Sequence, residues 1–313
     1  MIKEIKGKVV KGLGGLYVTR IVDGDAVSYL SSYAKGNLKR DDEKILIGDN
    51  VIVTLDEDTP DSVVISEILP RCNRLIRPPL ANLDYLFIVF AAKKPSPVLE
   101  TVDKLIAIAE HNRIEPVIVV TKEDMSPSLA DEYVELYRKV GLPAFSTSSH
   151  SRFGLEELSS YINEHIKNGL SAAFAGASGV GKSTLMNALF PNLTLATAEI
   201  SRKIERGRHT TRHVEIFDIG EGVGSGLLAD TPGFSLIDFE RFDFFELDEL
   251  ADTFRELRPF LGKCKYSDCS HVGEGSDECA VMRAVLNGEI AESRLESYRS
   301  IYRILRRKSQ DYS

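Results

Sequence analysis

Gly176-Ala177-Ser178-Gly179-Val180-Gly181-Lys182-Ser183 fits the spacing G-x-x-x-x-G-K-S/T, placed after an apolar strand and before a helix. Glycines at these positions let the backbone wrap a phosphate chain with its N–H groups turned inward, and the helix N-terminus adds positive potential. Lys182 can reach the β- and γ-phosphates. The Ser183 hydroxyl can ligate Mg²⁺, and Thr184 follows within reach of the phosphates. Asp230-Thr231-Pro232-Gly233 comes about 50 residues later, at the end of a strand. Asp230 can hold the outer shell of the metal, and Gly233 can offer a backbone N–H to the γ-phosphate. Between them, Thr210 and Thr211 in the polar stretch Arg206–Thr211 can close over the metal as a switch.

Thr121-Lys122-Glu123-Asp124 follows an apolar strand and fits the pattern N/T-K-x-D. A carboxylate at Asp124 can accept from both N1–H and the 2-amino group of guanine. Adenine has no 2-amino group and presents a lone pair at N1. Each such charged hydrogen bond contributes about 1.5–3 kcal/mol, so a site built on the pair rejects adenine strongly. The Lys122 stem can lie over the base. Thr147-Ser148-Ser149, after the next short strand, supplies Ser148 and Ser149 as further base contacts.

A third constellation is Cys264-x₄-Cys269-x-His271-x₇-Cys279. Three thiolates and an imidazole suit one tetrahedral Zn²⁺ in a closed, structural site. Cys72 lies apart from it and reads as a structural or free thiol.

These groups need elements to carry them. Residues 1–68 hold five strand-like runs, Ile5–Val10, Leu16–Arg20, Ala26–Leu30, Asn50–Leu55 and Val63–Ile68, separated by Gly- and Asp-rich turns. That density predicts an all-β barrel of the oligonucleotide-binding type. Residues 69–82, rich in proline, read as a linker. From 83 to 243 buried-strand runs alternate with helical periodicity, which predicts a parallel sheet covered by helices. Ser126-Pro127 marks a helix start. Residues 244–313 read as a mostly helical domain interrupted by the cysteine cluster. Leu295, Tyr298, Ile301, Tyr302 and Leu305 form one stripe of its last helix.

The order of the nucleotide motifs is permuted: the base-reading pair precedes the phosphate loop and the switch. A parallel sheet tolerates this, because the site lies at the carboxyl ends of neighbouring strands whatever the chain order.

Composition bounds the rest. The 313 residues are 43% hydrophobic and 27% charged, with net charge −8, which excludes a disordered or fibrous chain. The longest apolar run, Tyr85–Ala92, is eight residues, and a membrane-spanning helix needs about 20. With no secretory signal pattern and a cysteine set suited to metal rather than disulfides, a cytoplasmic, membrane-free protein is expected. The acidic total does not exclude nucleic acid, since local patches decide that. Two basic clusters are candidates for RNA contact or for a solvated face. One is Lys3, Lys6, Lys8 and Lys11 with Lys35, Lys39, Arg40 and Lys44; the other is Arg294, Arg299, Arg303, Arg306, Arg307 and Lys308.

Taken together, the barrel, Arg77-Pro78-Pro79-Leu80-Ala81-Asn82, TKED, GASGVGKS, GRHTTR, DTPG and the Cys–His cluster resemble the ribosome small subunit-dependent GTPase A family of circularly permuted GTPases. The resemblance covers nearly the whole chain. It implies GTP hydrolysis stimulated by the small ribosomal subunit, late maturation of that subunit, contact with its rRNA, GTP and GDP as ligands, and a monomer. It also implies that His209, in the switch loop, orients or deprotonates the attacking water. Phe234 stands where many GTPases carry a glutamine after DTPG and can do no such work. Two positions depart from the commoner family pattern: threonine at 121 in place of asparagine, and a longer His271–Cys279 spacing. Two other readings remain open at this level: a P-loop ATPase with an RNA-binding barrel, and a non-catalytic RNA-binding module.

Overall fold

A computed structural model of the chain describes residues 2–35, 44–56, 59–191, 214–220, 222, 224–230, 241 and 243–311. By internal contacts the chain forms two compact units. The first is Met1–Leu86 with Leu155–Phe174 and Ser183–Phe234; the second is Phe87–Gly154 with Ala175–Lys182 and Ser235–Ser313.

In the first unit, strands β1 (Ile2–Leu13), β2 (Leu16–Asp23), β3 (Ala26–Ala34), β4 (Asn50–Asp56) and β5 (Thr59–Ile68) close into a barrel of order β1-β2-β3-β5-β4. β3 and β5 run parallel, and the other pairs are antiparallel. This is the oligonucleotide-binding arrangement the sequence predicts, built on longer strands. The two-residue period explains the core: Val51 with Val53, and Val63 with Ile65, join Val9 and Ile21 inside. Thr19 and Ser32, also enclosed, satisfy each other through their hydroxyls at 3.0 Å.

Residues 69–82 are folded rather than loose. Short strands β6 (Arg74–Leu75) and β7 (Leu80–Ala81) pair, and Leu75 and Leu80 are buried. Asn82 takes a left-handed φ of 53°, donates to the Gly48 carbonyl and accepts from the Cys72 N–H. Two-residue strands leave no periodicity for the sequence to display.

The remaining strands are β8 (Tyr85–Ala91), β9 (Glu115–Thr121), β10 (Ala144–Ser146), β11 (Ser171–Ala175), β12 (Glu215–Asp218) and β13 (Leu227–Asp230), in sheet order β10-β9-β8-β11-β13-β12. β9 with β10 and β11 with β13 run parallel, and β12 returns antiparallel on β13. Among the described residues the helices are α1 (Leu99–His111), α2 (Pro127–Lys139), α3 (Leu155–His165), α4 (Lys182–Leu189), α5 (Ala280–Leu286) and α6 (Glu292–Asp311). Ser126 stands before α2 as expected, but its hydroxyl makes no capping bond; its carbonyl accepts from Ala130 instead.

The last helix buries Leu295, Tyr298, Ile301 and Leu305 as the stripe predicts, with Tyr302 half-buried. Residues 247–260 are three single 3₁₀ turns, so the tail is less helical than expected. Arg294, grouped with the basic surface residues, is 1% exposed. Its charge is met by Asp103 of α1 and by Glu256 at 2.6 Å, which is what permits burial. Of the first basic cluster, Lys39 and Arg40 lie outside the described residues. Among the described residues no helix is long and apolar enough to cross a membrane.

Candidate functional site

β9 ends at Thr121, and the chain turns at once. Lys122 adopts a left-handed φ of 56°, and Glu123–Met125 form one 3₁₀ turn that exposes Asp124. β10 is extended past its end by backbone bonds, Thr147 N–H to Val120 O at 2.7 Å and Glu123 N–H to Thr147 O at 3.1 Å. This register brings Ser148 beside Asp124, and the fully buried Ser148 hydroxyl donates to the Asp124 carboxylate at 2.5 Å. Ser148 also accepts from the Ser151 N–H, so its own orientation is fixed. Ser149 is half-buried next to it.

The phosphate loop lies against this turn within the second unit. The Thr121 hydroxyl donates to the Val180 carbonyl at 2.5 Å, with the Phe90 carbonyl at 3.2 Å. The Lys122 ammonium donates to Gly179 O at 2.8 Å and Lys94 O at 2.5 Å. A Cβ on Gly176 would stand 2.0 Å from the Val89 carbonyl oxygen at φ +146°, so only glycine fits there. Ala177, Ser178 and Gly179 are exposed, and Val180 is buried. Lys182 is half-buried inside the loop, donating to the carbonyls of Gly176 at 2.6 Å and Ala177 at 2.9 Å. Burial pushes its pKa below the ordinary lysine value. The loop therefore offers an ammonium and a turn of backbone to an anion, and it is tied to the turn that exposes the Asp124 carboxylate.

In the first unit Ser183 and Thr184 are exposed in the opening turn of α4. Asp230 ends β13. Desolvation of its carboxyl, and then the Glu215 carboxylate, raise its pKa. The oxygen donors of Ser183 and Asp230 are of the kind Mg²⁺ takes. His209, Thr210, Thr211 and Gly233 lie outside the described residues.

Cys264, Cys269, His271 and Cys279 are brought together by a loop and by the start of α5, all four ligand atoms lying within 4.8 Å of one another. His271 Nδ1 stands 3.5 Å from Cys264 Sγ and 3.4 Å from the sulfurs of Cys269 and Cys279; Cys264 and Cys279 sulfurs are 3.9 Å apart. Four such ligands bound about 2.0–2.3 Å from one ion would stand about 3.6–3.8 Å apart, so the set fits tetrahedral zinc. The long spacing before Cys279 is taken up by a knot in which the Glu274 carboxylate accepts from the backbone of Ser270, Val272 and Gly273. Burial pushes the Cys269 thiol up to about 12 and the Cys279 thiol upward, which is the state a cation reverses by drawing out thiolates. N–H groups of Ala280 and Met282 point at the sulfurs of Cys264 and Cys279. Cys72 is exposed and separate.

The model of the RsgA GTPase family matches residues 68–240. The chain belongs to the RsgA GTPase family. The "small ribosomal subunit biogenesis GTPase RsgA" of Caldanaerobacter subterraneus subsp. tengcongensis is 38% identical over 310 residues, covering 99% of this chain and 98% of that protein. The protein of the same description from Carboxydothermus hydrogenoformans is 40% identical over 295 residues, covering 94% and 95%. Two solved structures are similar at TM-score 0.77. YloQ, described as a circularly permuted GTPase, shares 31% identity over 98% of this chain and 96% of its own; YjeQ from Thermotoga maritima shares 32% over 97% and 99%. The RsgA family match contains TKED, the phosphate loop and DTPG, and the full-length relatives extend it over the barrel and the Cys–His cluster.

Lys11, Glu215 and Thr121 carry structural roles that spacing alone does not point to. Thr121 is expected from the motif as a base contact, whereas its hydroxyl binds the phosphate loop. The sequence marks Lys11 only as one of a basic cluster, and nothing in it marks Glu215 or pairs the two.

Proposed function

We propose that this chain is a GTP-hydrolysing assembly factor that acts in late maturation of the small ribosomal subunit and is stimulated by that subunit. The observation that carries the reading is the bond from Thr121 to Val180, which joins a guanine-reading turn and a phosphate loop in one unit. In this reading Asp124, oriented by Ser148, accepts from N1–H and the 2-amino group, with Lys122 and Ser149 lining the base. Gly176–Gly181 cradle the phosphates through backbone N–H groups. Lys182 exchanges its carbonyl partners for phosphate oxygens, and Thr184 and Gly233 complete the phosphate contacts.

Ser183, Asp230 and one of Thr210 or Thr211 would hold Mg²⁺, which would supply positive charge against the phosphates. His209 orients the attacking water in the subunit-bound state. One zinc ion on Cys264, Cys269, His271 and Cys279 supports the fold and takes no part in chemistry. We assign residues 1–68 to the rRNA-binding barrel, 69–82 to a connector, 83–243 to the permuted GTPase domain and 244–313 to the zinc domain, in a monomeric cytoplasmic protein.

The test is GTP hydrolysis with and without purified small subunits, for wild type and Lys182→Ala. Stimulation of wild type and loss of turnover in Lys182→Ala are expected; full activity in that variant overturns the site. In competition assays Asp124→Ala should lose preference for GTP over ATP, and an unchanged ATP preference in both proteins would favour an ATPase.

A further inference from the structure

Lys11 lies in the barrel, yet it faces the GTPase strand β12 in the same unit. The β1–β2 register runs Gly7 to Ile21, Lys8 to Arg20 and Val9 to Thr19, then resumes with Lys11 opposite Val18. Val10 is thus the extra residue of a β-bulge. In an uninterrupted strand Lys11 would point the same way as Val9, into the barrel core where Val9 is fully buried. The bulge re-aims it outward. Its ammonium lies 2.8 Å from both carboxylate oxygens of Glu215, with side-chain exposures of 16% and 21%.

Glu215 opens β12 and is directly opposite Asp230 in the antiparallel β12–β13 pair. Residues so placed share a face with Cβ atoms about 4.5–5.5 Å apart, and like charges there repel. Asp230 therefore ends its strand facing a second carboxylate, whose charge Lys11 offsets. A second tie holds β12 to the barrel. Arg20 bonds Asp218 at 2.8 Å and the Ser225 hydroxyl at 3.2 Å, and the Tyr29 phenol also donates to Asp218.

We propose that Lys11 is a positioning residue for GTP hydrolysis: by neutralising Glu215 it removes the like-charge repulsion on Asp230 and holds that carboxylate beside the metal. The proposal rests on the GTPase reading above. It makes the barrel a working part of the hydrolytic site as well as a nucleic-acid module.

The experiment compares kcat for GTP and the Kd of GTP in full-length wild type, Lys11→Ala, Lys11→Arg and the double variant Lys11→Ala with Glu215→Gln, with thermal unfolding as the check on folding. Lys11→Ala should lower kcat about fivefold, the upper range for a like-charge pair on a sheet, with Kd kept within about twofold. Lys11→Arg should retain the rate. The double variant should regain it, because the neutral amide that replaces the Glu215 carboxylate carries no charge to repel Asp230. A rate in Lys11→Ala equal to wild type overturns the proposal. So does a double variant no faster than Lys11→Ala, which would make the contact a simple tether. A wild-type chain without GTPase activity overturns the parent reading instead, so the two failures are distinguishable.

Discussion

The Thr121 hydroxyl donates to the Val180 carbonyl at 2.5 Å and so fastens the turn that carries Asp124 to the loop that carries Lys182. Both residues are buried, so removing the hydroxyl takes a donor from a carbonyl that water does not readily reach. Thr121→Val keeps the shape and deletes the donor. The expected cost is about 1–3 kcal/mol of stability from the orphaned carbonyl. GTP affinity should fall as well, by about tenfold, because loop and base turn no longer hold one spacing. Urea unfolding and titration calorimetry read the two effects. A variant with wild-type stability and affinity would show that the two motifs are positioned independently.

The strands, helices and chemical motifs were legible because each follows a short local rule. Buried runs mark β8, β9 and β11, and glycine spacing marks the phosphate loop. What stayed hidden depends on contacts between distant residues. Arg294 looks like one more basic residue of a charged helix, and its burial is explained by Asp103, 191 residues away, together with Glu256. The bulge at Val10 is invisible because bulges follow from how two strands fit rather than from any one residue type. Residues 69–82 look like a connector because two-residue strands carry no period. Ser148 is expected from the sequence as a base contact, and its bond to Asp124, which depends on the β9–β10 register, is not legible there.

The Arg20–Asp218–Tyr29 cluster makes stability depend on pH at both extremes. Burial raises the Asp218 pKa, but bonds from Arg20, Ser225 and Tyr29 outweigh it and hold the carboxyl below the ordinary 3.8. A group whose folded pKa is depressed stabilises above its unfolded value and loses that contribution as pH falls through the folded one. Tyr29 is the reverse: burial first, then Asp218, raise it from 10.0 to about 12. Its contribution is full below pH 10 and disappears between pH 10 and about 12. The stability difference between wild type and Asp218→Asn should therefore shrink below pH 3.8. Tyr29→Phe should lack the alkaline loss. Differences that stay flat through both windows would remove the cluster from the fold's energetics.

Arg294 is enclosed by Asp103, Glu256 and the faces of Phe254 and Tyr137, 4.7 and 5.8 Å from its guanidinium. Asp103 is as deeply buried, and the Tyr137 phenol donates to it at 3.0 Å. Removing one partner of such a pair strands the other's charge in a medium that cannot solvate it, at a cost of about 3–5 kcal/mol. Arg294→Ala should lose that amount in denaturant unfolding. Arg258→Ala, at a half-exposed ion pair with Glu110, should lose under about 1 kcal/mol. Equal losses in the two variants would mean that burial of the pair is not what matters.

The Cys–His cluster sits between the 3₁₀ turns and helices α5 and α6, and it is tied to α6 by the Tyr298 phenol, which donates to the Ser270 carbonyl at 3.0 Å. Few backbone bonds cross its loop, so the ion itself should be what holds that loop closed. Metal analysis of the purified chain should find one zinc per molecule. Cys279→Ser should abolish it, which tests the ligand set apart from the others by the long spacing. Chelation should expose residues 264–279 to protease and lower the melting temperature, and zinc should restore both. Because the thiols must lose protons to bind, zinc uptake should release acid, measurable in weak buffer. A chain that keeps its melting temperature and its protease resistance after complete zinc removal would show that packing on α6, rather than the ion, supports this part of the fold.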